Sequence, residues 1–123
     1  MTSNTLTTTD LEITLDERDG ATLLRLRGRL GIDSSPGFRD QLLATLREQS
    51  TRPILIDMTG VTYIDASGIA TLIEGLKIAR NRRESLCLTG LQGRVLHLFE
   101  VTGLLNLFET SACKAASSAA KVR

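Results

Sequence analysis

The stretch ILIDMTGVTYIDASGIATLIEGLKIAR, residues 54–80, changes periodicity part-way along its length. Ile54–Met58 is a short apolar run of strand type, suited to a central strand buried on both faces. Thr59–Ser67 reads as a loop. From there Ile69, Leu72, Ile73, Leu76 and Ala79 recur at helical spacing, an apolar stripe that belongs to the core. At the joint stand Asp65, Ala66, Ser67 and Gly68. A serine and an acid at this point have three readings: a helix cap, a catalytic pair, or a serine on which another enzyme acts. Capping is the ordinary role of such residues at a helix start and is worth about 1 kcal/mol.

Upstream, LEITLDERDGATLLRLRG alternates on both sides of Asp19-Gly20. That dipeptide supplies the positive φ angles of a two-residue hairpin turn, so two antiparallel strands fit, about 10–17 and 21–28. In GIDSSPGFRDQLLATLREQ, Ser35 before Pro36 reads as an N-cap, and Phe38, Leu42, Leu43 and Leu46 share one helical face. Downstream, Arg80, Arg82 and Arg83 complement a helix C-terminus. SLCLTG reads as a strand, GRVLHLFEVTG as a helix stopping at Gly103, and LLNLFET as a last strand. Residues 1–9, rich in Thr and Ser, read as a flexible lead, 10–110 as one domain, and 111–123 as a frayed helix or tail. The order after the hairpin is that of an α/β fold: a mixed, mostly parallel sheet of four to five strands with helices packed against it. In such sheets partners meet the carboxyl ends of the strands, where Ser67 falls.

With 123 residues and 41% hydrophobic content the chain can bury an aliphatic core; aromatics are only 3%, with no Trp. A net charge of +1 with interspersed signs makes no case for nucleic acid or an anionic membrane as partner. Cys87 and Cys113 form neither a C-x-x-C nor a zinc spacing nor a disulfide framework. MTSNTLTTTD lacks the basic start and apolar run of a secretion signal, and no segment has the roughly 18 apolar residues of a membrane span. The expected setting is cytoplasmic.

Enzymatic readings lack their parts. A nucleophilic serine needs a base and an oxyanion hole. The G-x-S-x-G elbow fails at both ends, where Asp65 and Ile69 stand. His97, the single histidine, sits among leucines on the third helix. No metal-ligand set, P-loop or dinucleotide fingerprint is present, so no cofactor is expected. A small serine-dependent enzyme remains the remote alternative.

The same segment resembles the signature of STAS domains, and in particular bacterial anti-sigma factor antagonists. In that family a strand ending in Asp-x-Ser/Thr leads through a short hydrophobic loop to Asp-x-Ser-Gly and an amphipathic helix. Here these are Asp57-Met58-Thr59, then Val61, Tyr63 and Ile64, then Asp65-Ala66-Ser67-Gly68. GRVLHLFEVTGLLNLFET is similar to the family's closing helix, turn and last strand, and the resemblance spans about residues 10–110. It implies a regulatory binding protein, not an enzyme, that captures an anti-sigma factor serine kinase and so frees a sigma factor. The kinase would phosphorylate Ser67 and the complex dissociate; a metal-dependent serine/threonine phosphatase would reset it. The nucleotide belongs to the kinase. Gly68 would leave room for the kinase to approach.

The implied partner surface comprises Asp65, Ala66, Ser67, Gly68 and Ile69, with Gly31, Asp33 and Ser34 from the first strand-to-helix turn. That turn departs from the family's Gly-Glu-Leu-Asp: it reads Gly28-Arg29-Leu30-Gly31, with Asp33 two positions later. Ser34 and Ser35 are candidates for a second modified site beside the capping reading of Ser35. Within the same fold the alternative is a constitutive scaffold subunit of a transporter or stress-signalling complex, with Ser67 never phosphorylated.

Overall fold

The computed structural model describes residues 3–7, 10–48 and 52–108. Strand β2 (Leu11–Arg18) turns at Asp19-Gly20, whose φ angles are 54° and 76°, into the antiparallel strand β3 (Ala21–Leu30). Two successive positive φ angles match the right-handed twist of the strands they join. Helix α1 (Ser35–Arg47) then crosses to β4 (Ile54–Ile64), which pairs parallel with β3. Helix α2 (Ala66–Asn81) crosses in turn to β5 (Leu86–Thr89), parallel to β4. Helix α3 (Gly93–Val101) and the short α4 (Leu104–Phe108) close the described chain.

Ser3–Thr7, expected to belong to a flexible lead, instead form β1 and pair antiparallel with β2. The sheet order is therefore β1-β2-β3-β4-β5, with two antiparallel and two parallel pairings where a mostly parallel sheet was expected. The tail expected at 111–123 lies outside the described residues.

Alternation on β2 and β3 buries Leu11, Ile13, Leu24, Leu26 and Leu30. Against them pack Phe38, Leu42 and Leu46 of α1 and Leu72, Leu76 and Ala79 of α2. On β4, Ile54, Leu55 and Ile56 are buried in succession, so this central strand is covered on both faces, as its unbroken apolar run predicts. Buried Cys87 of β5 lies beside Leu55 on the face opposite the main core. Cys87 is disulfide-bonded, where no disulfide framework was expected; Cys113 lies outside the described residues.

Two expectations fail for local reasons. The segment Thr59–Ile64, read as loop, continues β4, because the ten-residue β3 runs alongside and pairs Gly28 with Val61, Arg29 with Tyr63 and Leu30 with Ile64. Register shifts between Arg25 and Arg27 and between Gly28 and Arg29 make this pairing irregular. LLNLF is helix α4, not a strand. A short apolar run carries no period of its own. Here the helical turn seats Phe108 against Phe99, ring centroids 6.1 Å apart, while Arg80 Nη2 donates to the Leu107 carbonyl at 2.9 Å.

Candidate functional site

The site is built where the end of β3, the start of α1 and the start of α2 meet. Asp65 follows β4 in extended conformation (φ −124°, ψ −171°) and is the N-cap of α2. Its Oδ1 accepts from the amides of Ser67 (3.0 Å) and Gly68 (3.3 Å) and from the Ser67 hydroxyl (2.6 Å). Its Oδ2 accepts from the Ile32 amide (3.2 Å) and the Tyr63 hydroxyl (3.4 Å). One carboxylate thus ties the first turn of α2 to the β3–α1 loop. The Ser67 hydroxyl above all holds the Asp65 carboxyl below the usual carboxylate range; partial burial opposes it, and the amides of Gly68, Ser67 and Ile32 add to the lowering.

The capping question is therefore decided by geometry. Asp65 caps the helix, and Ser67 is a donor to the cap. Ser67 is half-buried, and its Oγ accepts a hydrogen bond from the Ser35 hydroxyl at 3.2 Å. Ser35 is the first residue of α1 and not its N-cap; that position is Ser34, which makes no side-chain capping bond. Pro36 pre-sets the helical φ one residue later. The Ser34 hydroxyl instead donates to the Arg29 carbonyl (2.7 Å) and accepts from the Gly31 amide (3.0 Å), folding the loop on itself.

Of the eight residues expected at the partner surface, Ala66 and Asp33 are exposed, and Asp65, Ser67 and Ile69 are half-buried. Gly31, Ser34 and Gly68 are buried and shape the site from beneath. A Cβ on Gly31 would lie 2.9 Å from Asp65 Oδ2 and 3.2 Å from the Tyr63 ring. On Gly68 it would lie 2.6 Å from the Leu30 carbonyl oxygen and 2.9 Å from Ile64 Cγ1. Gly68 thus serves the close approach of α2 to β3, in place of the access for a kinase expected of it. Burial also removes Ser34 and Ser35 as candidates for a second modified site, at 1% and 5% exposure.

Three residues join the site that the sequence reading left out. Ile32 is 74% exposed beside Asp33, Tyr63 is 38% exposed, and the Arg29 guanidinium lies 4.0 Å above the Tyr63 ring centre. A lone isoleucine between glycine and aspartate has no periodicity to mark it, and Tyr63 was hidden by reading its strand as a loop. They gather about the Asp65 carboxylate, whose Oδ2 holds the Ile32 amide and the Tyr63 hydroxyl while Oδ1 holds Ser67. A second hydroxyl–carboxylate pair lies further back on β4. There Asp57 Oδ1 accepts from the Thr59 amide (2.9 Å) and hydroxyl (2.6 Å), and Gln92 Nε2 donates to the Thr59 carbonyl (2.9 Å). This pair braces the entry to α3.

The family model described as Mlab, STAS domain matches residues 13–109, most of the chain. The chain belongs to the STAS domain family. Among relatives of this STAS domain is the anti-sigma-B factor antagonist of Staphylococcus aureus, 26% identical over 102 residues covering 83% of this chain and 94% of that protein. Among solved structures, an anti-sigma factor antagonist from Mycobacterium paratuberculosis superposes with a TM-score of 0.71 at 14% identity, covering 90% of this chain and 95% of that one. A sulfate transporter family protein from Wolinella succinogenes superposes at 0.61 and 22% identity, covering 76% and 75%. These two likenesses establish the fold. Among the described residues of this STAS domain, no helix is long and apolar enough to cross a membrane, and no three His, Cys, Asp or Glu side chains lie together as metal ligands.

Proposed function

We propose that this STAS domain is an anti-sigma factor antagonist. It captures an anti-sigma factor serine kinase while Ser67 is unmodified, and phosphorylation of Ser67 releases the kinase. The observation that carries the reading is Ser67, half-buried at the start of α2 and not itself the cap, bonded to the same Asp65 carboxylate that holds the loop of exposed Ile32 and the exposed Tyr63. Exposed apolar, aromatic and charged side chains tied to the carboxylate that holds the Ser67 hydroxyl suit a surface that both docks a kinase and is its substrate.

In the transfer, the Ser67 oxygen forms a bond to the γ-phosphorus of ATP held by the kinase. The bond from that phosphorus to the β-phosphate oxygen breaks, and the hydroxyl proton is lost to a base on the kinase. ADP is the product. The new phosphate brings about −1.5 to −2 charges. In the free chain water solvates it. Buried at a docked interface it loses that water, and an unpaired ion there costs several kcal/mol. Since about 1.4 kcal/mol is tenfold in affinity, that cost is enough to expel the partner. A serine/threonine phosphatase would restore the binding form.

Phosphopeptide mapping of the protein from its own cells, in rich growth and under stress, tests the reading. Phosphate on Ser67 whose level changes between the two conditions supports the switch. Ser67 bare in both, with the protein abundant, overturns it and favours the constitutive scaffold.

A further inference from the structure

The Ser67 oxygen has two hydrogen-bond neighbours, Asp65 and Ser35. Its proton goes to Asp65 Oδ1 at 2.6 Å. One of its lone pairs receives the Ser35 hydroxyl at 3.2 Å. Ser35 comes from a different helix, is 5% exposed, and sits where the backbone is anchored by its own amide bond to the Gly31 carbonyl (2.8 Å). Pro36 stiffens the next position. Ser35 is thus a donor on an anchored backbone, directed at the oxygen that would carry the phosphoryl group, and its hydroxyl has no other side-chain partner among the described residues.

From this geometry we infer that Ser35 is a positioning residue of the phosphorylation switch: it orients the Ser67 oxygen before transfer and donates to a phosphate oxygen afterwards. Once the Ser67 proton is replaced by phosphorus, Asp65 loses a donor and faces an anion. Ser35 loses nothing, because a donor suits a phosphate at least as well as a hydroxyl, and the bond becomes charge-assisted. The two contacts of Ser67 therefore respond oppositely to the modification. Asp65 disfavours the dianion, and Ser35 favours it. The inference rests on the reading of Ser67 as phospho-acceptor and adds a residue that the family signature does not contain.

A donor that binds the dianion better than the monoanion lowers the second pKa of the phosphate, which for an unperturbed phosphoserine is about 6. The test is 31P NMR titration of the full chain with phosphoserine installed at position 67 during synthesis, in the wild-type background and with Ser35→Ala and Ser35→Thr. The other charged groups of these elements are Asp65, the exposed Asp33 of the β3–α1 loop, Arg29 over the Tyr63 ring, and the Arg39–Glu74 pair between α1 and α2. They are common to all three proteins, so the differences isolate the hydroxyl. Ser35→Ala should raise the phosphate pKa by about half a unit, and Ser35→Thr should hold it near the wild-type value. An unchanged titration in Ser35→Ala, or an equal rise in Ser35→Thr, would overturn the inference. Because the phosphate is installed chemically, a Ser67 found bare in cells would remove the proposed function while leaving this result intact.

Discussion

Gly68→Ala adds a single methyl group at the third residue of α2, and two arguments give it opposite signs. Helix propensity favours alanine over glycine by up to about 1 kcal/mol in a helix interior, and by less in a first turn. The tertiary contacts oppose it. The new Cβ would stand 2.6 Å from the Leu30 carbonyl oxygen and 2.9 Å from both Ile64 Cγ1 and Leu30 Cγ, where ordinary contact begins near 3.4 Å. The first of these is backbone at the end of β3, held by the Asp65 amide, so a rotamer change cannot relieve it. The start of α2 must shift away from β3. Overpacking of this kind costs about 1–3 kcal/mol, which exceeds the propensity gain. In a domain of this size that is a fall in Tm of roughly 3–10 °C, with a matching fall in urea midpoint at unchanged m. The shift should also loosen the Asp65 bond to the Ile32 amide, seen as a change in that amide's NMR shift. A Tm equal to or above wild type would refute the close-approach argument and return Gly68 to a role in partner access.

Ser67→Ala should change stability by no more than about 1 kcal/mol, because it removes a donor and leaves the cap in place. Asp65→Ala should be the more destabilising of the two in parallel denaturant melts, since it strips the cap and the hold on Ile32 and Tyr63 together; the reverse ranking would reassign the cap. Asp65→Asn keeps a capping oxygen and removes the charge. The folded-state carboxyl titrates below its unfolded value, so the stability it adds is present above about pH 4 and is lost as pH falls through the folded pKa. The gap between wild type and Asp65→Asn should therefore be seen at pH 7 and shrink as the pH falls below about 4; a pH-independent gap would contradict the assignment. Phe108→Ala should cost about 3–5 kcal/mol, because that ring is buried against Phe99 at the end of the described chain. A cost under 1 kcal/mol would mean that α4 is not docked.

Much of the fold was legible because the segments carry their own periods. Asp19-Gly20 between alternating runs, the helical stripes of Phe38/Leu42/Leu46 and Leu72/Leu76/Ala79, and the unbroken Ile54–Met58 each name one element without help from elsewhere. The misreadings fall where the period is absent. Thr59–Ile64 is strand only because β3 lies beside it, and Leu104–Phe108 is helix only because Phe99 offers a place for Phe108. Ser3–Thr7 gains strand structure from the free edge of β2, which composition cannot register.

The candidate site divides along the same line. The sequence by itself determined that an acid and a serine precede a helix, and, through Asp57-Met58-Thr59 and Asp65-Ala66-Ser67-Gly68 in that order, which family the chain belongs to. These are neighbours along the chain, so local order suffices. Which of the two caps the helix, that Gly68 is a packing residue, that Ser35 meets Ser67, and that Ile32 and Tyr63 meet Asp65 were decided only by tertiary structure. Ser35 and Ser67 stand 32 residues apart and meet because β3 and β4 are parallel neighbours, so the helices that follow them begin side by side.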